Sequence, residues 1–178
     1  MIIRTRRIFK SRSTGSATVK ELLQTMFVGE ILQPGPAIWI VSPWISDVAL
    51  IDNRSGNFDT LNPEWGRREV RLVDVLVTLM IRGAVINIVT RDEESNTTFL
   101  NRLDEVVRQN AVENFLIVLK HNQLHTKGIL LSKSLLMGSM NLTYYGLSIN
   151  DESITFSIEP EYHNSEKLVF ERQYSGKT

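Results

Sequence analysis

Helical and extended patterns alternate through the first 120 residues, and the extended stretches are apolar on both faces. Val19, Leu22, Leu23, Met26 and Phe27 fall on one stripe of a 3.6-residue helix. Thr18 with Glu21 predicts a capping box at its start, and Pro34-Gly35-Pro36 its end. Ala37 to Ser42 reads as a buried strand. Val73, Leu76, Val77 and Met80 predict a second helix stopped at Arg82-Gly83, and residues 84–90 a second strand. Leu100, Leu103 and Val107 mark a third helix, and residues 114–120 another buried strand. A strand with no polar face must be covered above and below, so the expected class is α/β, a mixed β-sheet flanked by helices on both faces. From residue 125 the rhythm changes to three short strand-like runs, HTKGILLS, SLLMGSM and ESITFSI, with one short helix from Leu142 to Leu147.

A chain of 178 residues with 42% hydrophobic and 22% charged residues fits one folded domain, 1–178. With no cysteine, a thiolate nucleophile and a Cys-ligated metal are excluded. No apolar run approaches the length of a membrane span, and the basic start is followed by neither an apolar stretch nor a cleavage site. The expectation is a cytoplasmic protein without integral membrane association. The net charge of zero is a cancellation. Residues 1–20 carry six basic side chains, Arg4, Arg6 and Arg7 among them, and no acid. Residues 1–15 therefore read as a basic arm, either solvated or in contact with phosphates. The polar stretch 46–66, rich in turn formers, reads as a functional or mobile loop.

The densest polar constellation runs from His125 to Glu152. On an extended strand His125 and Lys127 project from one face, as do Ser139 and Asn141, while Gly138 permits a close approach to the backbone. Asn150 and Glu152 form a third alternating pair, whose carboxylate could orient an imidazole. An ammonium, neutral donors and an imidazole together suit a phosphate. No His/Asp/Glu cluster has metal-ligand spacing, so no metal and no cofactor are expected. His121 and Trp44 are weaker candidates for touching substrate. His163 reads as a surface residue of the acidic tail. The closing Ser-Gly-Lys-Thr is no phosphate loop, since that pattern would need glycine where Glu171 stands.

His-Thr-Lys at 125–127, Gly-Ser-Met-Asn at 138–141 and Asn-Asp-Glu at 150–152 resemble the H-x-K, G-S-x-N and N-x-E signature of the phospholipase D superfamily, in its order and spacing. The likeness to small, single-motif, nuclease-like members covers roughly residues 16–157. One departure is Ser132, where the family's motif has aspartate. The resemblance implies a metal-independent phosphodiesterase with two such motifs facing each other, and hence a homodimer with the site on its twofold axis. One His125 would attack phosphorus and the other would protonate the leaving oxygen. Lys127 and Asn141 would hold the non-bridging oxygens, Ser139 would bond the phosphate or its neighbours, and Glu152 would fix a histidine tautomer. Ser132, Asn150 and Gly138 would support them from behind.

The function expected is a nuclease acting on DNA, with Trp44, His121, Arg4, Arg6 and Arg7 as candidate substrate contacts. Two alternatives stand beside it. One is a phospholipid hydrolase or phosphatidyl transferase. The other is a non-hydrolytic subunit that binds DNA or a protein partner in a bacterial DNA-modification or defence system.

Overall fold

A computed structural model describes residues 4–174, which leaves the closing Ser-Gly-Lys-Thr outside the described residues. The elements are β1 (Thr5–Lys10), α1 (Ser16–Leu32), β2 (Ala37–Val41), β3 (Ala49–Asp52), β4 (Glu69–Arg71), α2 (Leu72–Ile81), β5 (Val85–Thr90), α3 (Glu94–Gln109), β6 (Leu116–Lys120), β7 (Gly128–Leu130), β8 (Leu135–Gly138), β9 (Glu152–Ser157) and α4 (Pro160–Tyr174). Seven strands form one sheet in the order β1-β9-β8-β7-β2-β5-β6. β2, β5 and β6 are parallel, whereas β7, β8, β9 and β1 join successively as antiparallel neighbours. The expected α/β class with a mixed sheet is the fold observed.

The crossovers β2-α2-β5 and β5-α3-β6 step across the sheet in the same direction. With a common hand they deposit both helices on one face. α1 joins them there, and Leu23, Phe27, Leu76, Leu79, Phe99 and Leu103 close over Ile38, Ile40, Ile86 and Ile88, all essentially inaccessible. The opposite face is covered by α4, whose Phe170 and Tyr174 pack on Trp39, Val41, Val89, Leu130 and Leu135. Among the described residues helices therefore lie on both faces, three against one.

Several expectations change. The basic arm is mostly a strand: residues 5–10 pair with β9 along their whole length, with Arg6 opposite Phe156 and Lys10 opposite Glu152. Helix α1 begins at Ser16 after Gly15, with no side-chain cap, so Thr18 sits inside the first turn and forms no capping box. Its start is tied instead by Ser16 Oγ donating to Leu147 O at 3.1 Å. The helix stop at Arg82-Gly83 is as expected, with Gly83 at φ 90°, a left-handed conformation that suits glycine.

Stretch 46–66 is not an open loop. It contains β3, paired with β4, and is knotted around buried Asn53, which donates to Asp59 Oδ1 and Gly66 O and accepts from Phe58 N. The strand at 114–120 is shortened to 116–120 and is an edge, with Ile117 and Val118 exposed rather than buried on both faces. The short helix expected at Leu142–Leu147 is a π-helical turn at Tyr145–Ile149. The acidic tail forms α4, and His163 is buried with its Nε2 2.6 Å from Leu131 O, contrary to a surface role.

Among the described residues α4 alone covers its face, and Phe170 is its most deeply buried anchor. Phe170, whose ring lies 6.2 Å from Trp39, is 1% exposed. Phe170→Ala lowers the unfolding free energy by about 3–5 kcal/mol in urea denaturation. A loss below about 1 kcal/mol would contradict the packing of α4 on the sheet.

Candidate active site

The antiparallel insertion of β7 beside β2, with Gly128 opposite Val41, decides where the polar residues meet. The carboxyl ends of β2, β5, β6, β8 and β1 and the amino ends of β7 and β9 all fall on one edge of the sheet. His125 and Lys127 precede β7, Ser139 and Asn141 follow β8, Glu152 opens β9, and Trp44, Arg91 and His121 follow β2, β5 and β6. Residues far apart in sequence thus converge on one rim.

His125 and Lys127 lie in the irregular segment before β7, not on the strand itself. The His125 side chain is exposed and its ring makes no hydrogen bond among the described residues. Lys127 is buried, and its Nζ donates to His125 O at 2.6 Å. Burial pushes the Lys127 ammonium below its ordinary 10.5, the nearby charge of Arg91 pushes it further, and Glu152 opposes both.

The two strand ends behind Lys127 are held tightly. Gly138 lies so close to β9 that a Cβ there would sit 2.2 Å from Ser153 O, so no side chain fits. Ser139 N donates to Ser153 O at 3.1 Å, and Ser153 N returns a bond to Ser139 Oγ at 3.0 Å. The Ser139 hydroxyl in turn donates to the buried carboxylate of Glu152. Asn141 is half-buried, with its Oδ1 buried and unpartnered among the described residues. Asn150 contributes its main-chain carbonyl, which accepts from Lys10 Nζ, while the residue itself is exposed.

Ser132 is not beside this rim. It follows the opposite end of β7, roughly 15 Å along an extended chain from Lys127. There its N and Oγ donate to Glu30 Oε2 at 2.9 and 2.7 Å, while Gly35 N donates to Glu30 Oε1 at 2.7 Å. The carboxylate that Ser132 meets there is thus contributed by α1.

The arginines of the first strand spread along the edge rather than gathering at the site. Arg4 pairs with Glu159 at 3.5 Å at the far end, and Arg7 lies over Phe9 and donates to Ser153 Oγ at 3.3 Å. Arg6 is exposed. His121 packs edge-on against Tyr174, with its Nδ1 buried and unpartnered among the described residues.

Sequence reasoning missed four residues. Lys10, buried opposite Glu152, lines a cleft of about 440 Å³ with Ser139 and Glu152; burial lowers its pKa while Glu152 and Asp151 oppose that shift. Its only local signal is the alternation with Ile8, two inward positions that do not by themselves mark a strand. Arg91, Ser42 and Asn96 follow or lie beyond strands and carry no motif. Ser42 Oγ donates to Trp44 O and accepts from Leu142 N, tying two rim segments together.

Residues 38–173 match the sequence model of the family described as cardiolipin synthase, PLD-like domain. The chain belongs to this phospholipase D-like family. It is similar in fold to Nuc of Salmonella typhimurium, a phospholipase D family member, at 16% identity and TM-score 0.57, covering 96% of this chain and 93% of that one. NucT of Helicobacter pylori is similar at 11% identity and TM-score 0.58, with 94% of each chain covered. The archaeal chromatin protein TrmBL2, described with a novel mode of DNA binding, is similar at 13% identity and TM-score 0.54; 97% of this chain is covered, and it spans 52% of TrmBL2. No curated protein matches the sequence.

A lysine with a lowered pKa holds fewer protons folded than unfolded just below pH 10.5, so stability rises with pH in that interval. Lys127→Met flattens that rise. Arg91→Ala removes a like charge and moves the Lys127 titration upward, read by NMR of labelled lysines. An unmoved titration would contradict the coupling.

Proposed function

We propose that the chain is a phosphodiesterase acting on nucleic acid, DNA in the first instance, through a site completed by a second copy of itself. The observation that carries this reading is the rim itself: a buried ammonium and a half-buried guanidinium with mutual repulsion, beside a fixed hydroxyl, an amide and an open imidazole. An anion with several oxygens relieves that repulsion, and a phosphodiester brings a reactive phosphorus to His125.

In this mechanism the lone pair of one His125 nitrogen forms a bond to phosphorus as the bond from phosphorus to the leaving oxygen breaks. His125 of the other subunit donates a proton to that oxygen. Lys127 and Asn141 of both subunits hold the non-bridging oxygens, where charge accumulates. Water then attacks the phosphohistidine, giving its proton to the second imidazole as the bond from phosphorus to nitrogen breaks, so both histidines are restored. Glu152, held by Ser139, orients an imidazole by accepting from its remaining nitrogen. The exposed His125 ring supports a site that a single copy leaves half-built.

The family description and the similarity to phosphatidylserine synthase of Haemophilus influenzae, at 14% identity and TM-score 0.58, favour phospholipid as a second reading. That neighbour is much longer, this chain covering 38% of it.

The test incubates purified protein in EDTA with single-stranded DNA, duplex DNA, bis(p-nitrophenyl) phosphate and phosphatidylglycerol vesicles. Hydrolysis of DNA is expected, with His125→Ala lowering it by about 10³-fold or more. Gel filtration at micromolar concentration is expected to give a dimer. DNA turnover absent from the wild type, or undiminished in His125→Ala, would overturn the reading.

A further inference from the structure

Beside the catalytic rim stands an assembled plate whose indole takes no part in the phosphodiester chemistry. Trp44 follows β2 and Arg91 follows β5, and the Arg91 guanidinium lies over the Trp44 ring at 5.0 Å from its centroid. The guanidinium is aimed by Nε donating to Leu124 O at 2.8 Å, one residue before His125. Its terminal nitrogens make no hydrogen bond and no ion pair among the described residues, although its charge reaches Lys127. Trp44 is 37% exposed, while Trp39 and Trp65 are buried.

The plate is held in place from beneath. Asn96, fully buried, accepts from Ile45 N at 2.9 Å and donates to Pro43 O, Thr90 Oγ1 and Arg91 O at 2.9–3.0 Å. Thr90 Oγ1 also donates to Pro43 O, and Arg91 N does so at 3.4 Å. One amide thus clamps the strand ends that carry the indole and the guanidinium. An exposed aromatic residue on a mobile loop would lose much of its binding gain to ordering, and this one is already ordered.

We infer that Trp44 and Arg91 form a nucleotide subsite next to the scissile phosphate, in which an unpaired base stacks on the indole–guanidinium plate and the free guanidinium nitrogens take the adjoining phosphate. The inference rests on the phosphodiesterase reading and sharpens its substrate to single-stranded nucleic acid. A base inside a duplex has both faces occupied by its neighbours and cannot stack on a protein ring without being unstacked first. A lipid headgroup offers the phosphate but no aromatic face, so it would use Arg91 and gain little from Trp44.

The test measures kcat/KM on a fluorescent single-stranded oligonucleotide, its duplex and bis(p-nitrophenyl) phosphate for wild type, Trp44→Ala, Trp44→Phe and Arg91→Lys. Oligonucleotide binding to each protein is followed by anisotropy. Trp44→Ala is expected to lose about tenfold or more on the single strand beyond any loss on the small diester. Trp44→Phe recovers most of it, and Arg91→Lys loses several-fold because the fork is gone. The wild type prefers single strand to duplex, and Trp44 fluorescence is quenched on binding.

Equal losses on both substrates, equal cleavage of duplex and single strand, or hydrolysis of phosphatidylglycerol vesicles showing the same Trp44 dependence would overturn the subsite. A wild type that binds single strands through Trp44 but cleaves nothing would sink the phosphodiesterase reading and keep the plate. Cleavage and binding that ignore Trp44 would do the reverse. Should Trp44→Ala fail to fold, Trp44→Phe and the wild-type quenching decide alone.

Discussion

The pairing of β7 against β2 is the constraint on which the rest depends. From β2 through β5 to β6 the main sheet is a parallel winding that grows outward in one direction. Placing β7 antiparallel on the other side of β2 reverses the chain, and Gly128 comes to lie opposite Val41. The segment entering β7 then meets the segments leaving β2 and β5. Had β7 joined in parallel, His125 and Lys127 would sit at the opposite edge from Trp44 and Arg91. On its other side Gly128 faces Met137 of β8, whose sulfur fills the space that a Cβ would take.

The same geometry concentrates charge where water is scarce. Lys127 and Lys10 are both buried, and burial lowers the pKa of each. Glu152 pulls both back, which makes one carboxylate the shared counter-charge of two ammonium groups. Such an arrangement is poorly balanced in the absence of a ligand and improves when an anion arrives, because the anion faces cations already stripped of solvent. Two buried ammonium groups that share one carboxylate therefore cost the folded rim some stability.

Much of this was legible in the sequence because the signals were local. The parallel strands announced themselves as apolar runs between amphipathic stripes, and the three motif segments carried their own spacing. What stayed hidden depended on partners far along the chain. Residues 5–10 look like a basic arm because the alternation that buries Ile8 and Lys10 spans only two inward positions, too few to reveal a strand without β9 beside it. His163 looked like a surface residue until α4 was seen to carry it over Leu131. Ser132 departs from the motif's aspartate, and only the fold shows that its hydroxyl donates to Glu30, 102 residues earlier. Arg91 and Asn96 belong to no motif; only the meeting of two strand ends gives them a role.

The proposed chemistry depends most on His125 as a nucleophile toward phosphorus. Acid-labile adducts of that kind survive alkaline quenching, so intact-mass and peptide spectra of protein quenched during turnover of a single-stranded oligonucleotide test it directly. The expected result is a nucleotidyl or phosphoryl adduct on the peptide containing His125, absent from His125→Ala and present at no more than one per dimer. Rapid turnover with an unmodified His125 peptide, or an adduct on another residue, would contradict it.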